Sequence, residues 1–326
     1  MTTAAGHPDT TTGAPVGAPV DLAAPWGGRS RYADLGGPVH WVDFGGPTEA
    51  GDGVEAAAPP LVLVHGLGGS HLNWVGVAPA LARHRRVVAL DLVGFGLTPH
   101  EGRSSNVRDN AALVARFVRE VVGEPAVLMG NSMGGMISLL VADRFPEVVE
   151  ALVLVDASLP TPGVRPDRQV LLEFAVYATP FVGERYMQRN AAQFTDRQRV
   201  LRTVAVCFAD PSRADAAVVD AGVELAAWRR TLPGAERAFL GAARSLLRIL
   251  RSGNRYPALI TRVRQPTLLL HGELDKLVPV GAARATAESK PAWQTEILAD
   301  VGHTPQLEVP DAVVARVEPW LASLPG

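Results

Sequence analysis

Gly130-Asn131-Ser132-Met133-Gly134 follows directly on the apolar run Ala126-Val127-Leu128-Met129. The G-x-S-x-G spacing belongs to a serine held on a sharp turn from strand to helix. The central residue of such a turn takes a strained backbone, and small residues two before and two after it avoid clashes. Gly130 and Gly134 stand at those positions. The chemistry this permits is nucleophilic attack by a hydroxyl on an acyl carbon. A serine hydroxyl is a poor nucleophile in water, so the reaction also requires a histidine base, a carboxylate behind it and amide donors for the developing oxyanion. Ile137 to Phe145 reads as the helix that must follow.

On an elbow of this kind the acid and then the base come later in the chain. Gln265 to Asp275 reads as a buried strand and a turn, which puts Asp275 just past the strand end. Gly302-His303 follows a further strand at about Thr295 to Leu298 and precedes the last helix. Ser132 is therefore expected to be the nucleophile, His303 the base and Asp275 the orienting acid. The remaining histidines fit less well. His7, His40, His71, His84 and His100 lie before the elbow, while His65 and His271 each precede a glycine at a strand end and are expected to pack that turn. The oxyanion should meet two backbone amides, that of Met133 and that of Leu67 in the loop after His65-Gly66. Gly66-x-Gly68 lacks the third glycine of a dinucleotide fingerprint, and no Gly-Lys-Ser/Thr follows it, so a nucleotide loop is excluded.

Five motifs now stand in order: Val64 to Gly69, Asp91 to Thr98, the elbow, His271 to Asp275 and Gly302-His303. On these the chain resembles the α/β-hydrolase superfamily from about Val39 to Leu324. The resemblance implies an α/β-hydrolase fold, a mostly parallel central sheet with helices on both faces and a helical cap insertion. It also leaves Asp156 as a rival acid, because Val153-Leu154-Val155-Asp156 ends a parallel strand and some members draw the acid from there. The activity implied is hydrolysis of carboxylic esters, as by a carboxylesterase acting on small to medium apolar substrates. Carbon-carbon bond hydrolases of the meta-cleavage type are similar at Gly130 to Gly135. They differ in their first loop, and commonly carry Trp where this chain has Thr304. Dehalogenases and epoxide hydrolases use an aspartate at the elbow, where this chain has Ser132. Perhydrolase side activity is compatible with the same triad. A non-catalytic small-molecule receptor of the same fold is the remaining alternative, and nothing in the motifs is degraded in the way it would favour. No cofactor or metal is implied.

The supporting elements read clearly. Tyr32 to Leu35 and Pro38 to Phe44 are expected to be antiparallel strands. Short apolar segments at Leu61–Val64, Val87–Leu90, Ala126–Met129, Leu152–Val155, Thr267–Leu270 and Thr295–Leu298 have the pattern of strands covered on both faces. Helices expected at Asn73–Ala82, Val107–Val122, Ile137–Phe145, Val280–Glu288 and Asp311–Leu321 separate most of them, which implies a parallel sheet with its active groups at the carboxyl ends of the strands. The domain reading is a flexible tail at 1–28, a core at 29–158 and 263–326, and a helical cap at 159–262 that supplies the apolar pocket.

Composition agrees with a large single core: 326 residues, 47 % hydrophobic. Net charge is −2, but 159–262 holds 16 arginines against 9 acidic residues. These arginines are spaced among acids along helices, with no basic tract, so no nucleic-acid partner is expected. Cys207 is the one cysteine, which excludes an internal disulfide and is compatible with a reducing compartment. No apolar stretch reaches the ~20 residues of a membrane span, and Met1 to Gly28 lacks the apolar run of a secretion signal. A cytoplasmic protein acting on a small-molecule ester is the expectation.

Overall fold

Eight apolar segments form strands: β1 (Arg29–Asp34), β2 (Pro38–Asp43), β3 (Leu61–Val64), β4 (Val87–Leu90), β5 (Ala126–Asn131), β6 (Val149–Val155), β7 (Thr267–Gly272) and β8 (Gln294–Leu298). The computed structural model describes residues 17–19, 21–47, 58–160 and 167–324. Within them the strands make one sheet in the order β1-β2-β4-β3-β5-β6-β7-β8. β1 and β2 are antiparallel at one edge, and β3 to β8 run parallel.

β3, β4, β5 and β7 are buried at every residue. Alternate side chains point to opposite faces, so Val62, Val88 and Leu128 enter one core layer, while Leu63, Ala89 and Val127 enter the other. Continuous rather than alternating hydrophobicity is what two covered faces require. The helices of the alternating scaffold are α1 (Ala78–Leu81), α2 (Val107–Phe117) and α3 (Met133–Arg144) before the insertion. The insertion contains α4 (Arg168–Ala178), α5 (Val182–Gln193), α6 (Asp196–Cys207), α7 (Ala216–Arg229), α8 (Ala235–Leu250) and α9 (Arg255–Arg262). After it come α10 (Val280–Ser289), α11 (Pro305–Glu308) and α12 (Pro310–Ala322). Val114, Phe117 and Ile137 place α2 and α3 on the first face, and Leu81, Val313 and Val317 place α1 and α12 on the second.

Between β6 and β7 the described residues form helices only, each begun by local chemistry. Asp167 accepts the amides of Gln169 and Val170, Thr195 and Gln198 form a capping box, and Asp215 accepts the amides of Ala217 and Val218. α9 returns to the sheet: Tyr256, Leu259 and Ile260 join the first core layer, and the Tyr256 hydroxyl donates to the Ser158 carbonyl at 2.8 Å.

Two expectations differ from the structure. The helix expected over Asn73–Ala82 is instead a 3-10 turn at His71–Trp74 followed by the single-turn α1. Pro79, which has no N–H to give a helix, stands in the first turn of α1 and prevents one continuous helix, and Gly76 before it approaches the Gln306 carbonyl so closely that a Cβ there would lie 2.8 Å from its oxygen. The tail expected over 1–28 lies outside the described residues at 1–16 and 20. From 21 onward the chain is packed: Leu22 and Ala23 are buried, and the Asp21 carboxylate accepts the Ser30 amide at 2.9 Å. None of the described helices is long and apolar enough to cross a membrane.

Candidate active site

Ser132 sits between β5 and α3 with φ +55° and ψ −117°, a conformation that a side chain other than glycine rarely adopts. The turn is fixed from below: the Ser132 amide donates to the Val155 carbonyl at 3.0 Å, and the Ser132 carbonyl accepts the Ser158 amide at 2.9 Å. Space explains the two glycines. A Cβ on Gly134 would collide with the Val64 carbonyl, and one on Gly130 with the backbone of Gly134. Gly134→Ala is accordingly expected to destabilise the fold by about 3 kcal/mol or more, the upper range for overpacking, because the clash is with backbone that cannot yield. Urea unfolding would check it.

His303 follows β8 and is buried. Its Nδ1 hydrogen donates to Asp275 Oδ2 at 2.7 Å, which leaves Nε2 as the proton acceptor. The other oxygen of Asp275 accepts the amides of Leu277 at 2.7 Å and Val278 at 3.0 Å, locking the carboxylate in the turn after β7. Burial works to raise the Asp275 pKa, but the charge and hydrogen bond of His303 and the charge of His271 overcome it and hold the group below the usual carboxylate range. Asp156, the rival, ends β6 and its carboxyl lies within 4.8 Å of Asp275 and His303. Its Oδ1 accepts the Gly272 amide at 2.9 Å rather than the histidine ring. Burial and then the Asp275 charge push its pKa well above the ordinary value, which favours its neutral form.

The loop after β3 lies against the elbow: a Cβ on Gly66 would come 3.0 Å from the Ser132 Cβ. His65 anchors this loop, as expected of a turn-packing residue. The Leu92 amide donates to its Nε2 at 3.1 Å, so Nδ1 carries the proton and donates to the Gly66 carbonyl at 2.7 Å. Burial pushes the His65 pKa down to about 4, which keeps the ring in that neutral state. His271 likewise bonds the Val278 carbonyl at 2.8 Å. His40 and His71 both direct Nδ1 to Asp91 Oδ2, at 2.7 and 2.9 Å, and brace the loop after β4. The Met133 amide opens α3, where the helix dipole favours negative charge.

Ser132, His303, Leu67 and Phe95 line one chamber of about 1280 Å³ between the sheet's carboxyl edge and the helical insertion. Leu171, Phe174, Met187 and Phe239 face it from the insertion, and Cys207 borders it with a thiol that burial pushes up to about 12. Three contributors go beyond those that the sequence singles out. Asn131 Nδ2 donates to the Val155 carbonyl at 3.1 Å and the His303 carbonyl at 3.0 Å, tying the elbow to the histidine loop. Arg229 on α7 donates to the carbonyls of Gly94 at 2.5 Å and Gly96 at 2.9 Å. Burial lowers its pKa to about 10, it borders the chamber, and among the described residues no carboxylate lies within ion-pair distance of it. Glu308 is the third. The place of Asn131 inside the G-x-S-x-G motif is a signal; Arg229 and Glu308 carry none in their local sequence.

Comparison with known proteins extends the picture. A family model for the alpha/beta hydrolase fold matches residues 59–310. The chain is 31 % identical over 276 residues to 2-hydroxy-6-oxo-2,4-heptadienoate hydrolase of Pseudomonas putida, covering 82 % of this chain and 90 % of that one. It is 29 % identical over 267 residues to pimeloyl-[acyl-carrier protein] methyl ester esterase of Aeromonas hydrophila, covering 80 % and 94 %. Among solved structures, a putative lipase of Acinetobacter baumannii superposes with a TM-score of 0.70 at 23 % identity, over 93 % of this chain and 94 % of that one. These relatives are hydrolases, and with the family model spanning more than half of its length the chain belongs to the α/β-hydrolase superfamily.

Proposed function

We propose that the protein is a serine hydrolase that cleaves carboxylic esters of small to medium apolar substrates through an acyl-enzyme on Ser132. The observation that carries this reading is the 2.7 Å bond from His303 to an ionised Asp275 beside a serine that shares the histidine's chamber. In the first half-reaction Ser132 Oγ attacks the ester carbonyl, and its proton passes to His303 Nε2. The imidazolium is stabilised by Asp275, and the oxyanion is held by the amides of Leu67 and Met133. Collapse expels the alcohol, which takes the proton from His303. Water then repeats the sequence against the acyl-enzyme and releases the acid. The chamber lies just above the ~300–1000 Å³ usual for small-molecule sites, which supports medium rather than acetyl-sized acyl groups.

Hydrolysis of p-nitrophenyl esters from acetate upward, in wild type and Ser132→Ala, tests this. Serine-dependent turnover with an optimum at medium chain length is expected; no turnover of any ester would sink it. Arg229 favours a second reading, carbon-carbon hydrolysis of a dienoate, because a desolvated guanidinium on the chamber wall can pair with a substrate carboxylate. On that reading, Arg229→Met lowers kcat/KM for a ring-cleavage dienoate by about tenfold to a hundredfold, the loss of one charge-assisted bond, while a neutral ester is comparatively unaffected. Equal effects on both substrates would remove the support.

A further inference from the structure

Glu308, at the end of α11 and five positions after His303, is a fully buried carboxylate outside the reacting groups. Its oxygens accept the amides of Ala209 at 3.1 Å, Asp210 at 3.0 Å and Gly302 at 2.8 Å, together with Arg213 Nη1 at 3.1 Å. Ala209, Asp210 and Arg213 belong to the connection between α6 and α7 of the insertion, whereas Gly302 is the residue before His303. Two further bonds join the same pieces. The His303 amide donates to the Cys207 carbonyl at 2.6 Å, and Arg213 Nη1 also donates to the Asp300 carbonyl at 2.8 Å. Contact between the two segments is so close that a Cβ on Gly302 would overlap Ala209 N at 2.6 Å.

A buried carboxylate is costly unless its lone pairs are filled, and here three backbone donors and a guanidinium fill them. An apolar side chain of similar size would leave the amides of Ala209, Asp210 and Gly302 without that acceptor. The carboxylate thus adds four bonds to those that already join segments almost a hundred residues apart in sequence. We propose that Glu308 is a positioning residue that fastens the 207–213 segment of the helical insertion to the loop bearing His303. The imidazole then keeps its working geometry only while that segment is seated. Departure of the segment withdraws the Cys207 carbonyl from the His303 amide at the same time as it uncovers the chamber. Glu308 thereby makes proton transfer conditional on a closed insertion. This rests on the reading of His303 as the base.

The test compares wild type with Glu308→Gln, Glu308→Asp, Arg213→Met and His303→Ala, using p-nitrophenyl butyrate kinetics and amide hydrogen exchange read by mass spectrometry. Glu308→Gln should lower kcat by about tenfold to a hundredfold, as loss of a supporting partner typically does, with little change in KM. Peptides from 207–213 and 300–303 should exchange faster together, while those from β5 stay protected. Glu308→Asp, which keeps the charge one methylene short, should recover part of kcat. Wild-type kcat in Glu308→Gln, or faster exchange in only one of the two segments, would overturn the proposal. Should Glu308→Gln not fold, Arg213→Met loosens the same pair from the surface, and unchanged exchange in both segments there would overturn it equally. His303→Ala separates the two ideas. Full turnover in that variant removes the base role of His303, whereas the fastening is read by exchange without substrate.

Discussion

Ser132→Ala is expected to abolish turnover of p-nitrophenyl butyrate, with a fall of at least about ten-thousandfold in kcat and an unchanged fold. The size of the effect follows from what the substitution removes. Ser132 carries its φ of +55° at a cost that alanine bears equally, so the elbow keeps its backbone and loses only Oγ. His303, Asp275 and the amides of Leu67 and Met133 would remain in place, with no atom to attack the carbonyl. Cys207 also borders the chamber, but with its thiol pushed up to about 12 by burial it stays protonated at neutral pH. Kinetics beside circular dichroism would check the result. A loss smaller than about a hundredfold would mean that the oxyanion donors and substrate binding alone give most of the rate, contrary to covalent catalysis.

Asp275→Asn and Asp156→Asn should separate by orders of magnitude although the two carboxyls are neighbours. In Asp275→Asn the acceptor that fixes the proton on His303 Nδ1 is lost, so the ring can turn its acceptor nitrogen away from Ser132. A fall of about a thousandfold to ten-thousandfold in kcat is expected. Burial and the Asp275 charge push the Asp156 pKa up and favour its neutral form, and it accepts the Gly272 amide rather than the imidazole. Asparagine reproduces a neutral acceptor there, so a fall of less than about tenfold is expected, the lower end for a supporting residue. Reversed magnitudes in a side-by-side kcat measurement would assign the orienting acid to Asp156.

The same pair of residues marks how far the sequence could be read. Ser132, Asp275 and His303 each follow a strand of a parallel sheet, and strand ends are legible because a short, continuous apolar run bounded by turn residues suits a strand covered on both faces and is too brief for a buried helix. β3 and β4 coincide with the segments expected from the pattern, and β7 extends it by two residues. Asp156 and Asp275 look alike in sequence, since each ends such a run. What separates them is which carboxylate reaches His303 Nδ1, a matter of turn geometry after β7. Gly76 is the corresponding case for the fold. Pro79 is a local signal against one continuous helix across 73–82, whereas the approach of Gly76 to the Gln306 carbonyl, more than two hundred residues away, has no local signal. Asn131, Arg229 and Glu308 share this origin, for their partners at His303, Gly94 and Ala209 are brought near by tertiary packing. Long-range hydrogen bonds of this kind have no periodicity to betray them.

The most direct measurement is intact and peptide mass after rapid mixing with p-nitrophenyl butyrate and acid quench, alongside the burst of p-nitrophenol. Covalent catalysis by Ser132 predicts a butyryl adduct confined to the peptide containing Gly130 to Gly134, absent in Ser132→Ala and formed slowly in His303→Ala. Steady ester turnover with no adduct on that peptide, or an adduct that persists in Ser132→Ala, would contradict an acyl-enzyme at Ser132.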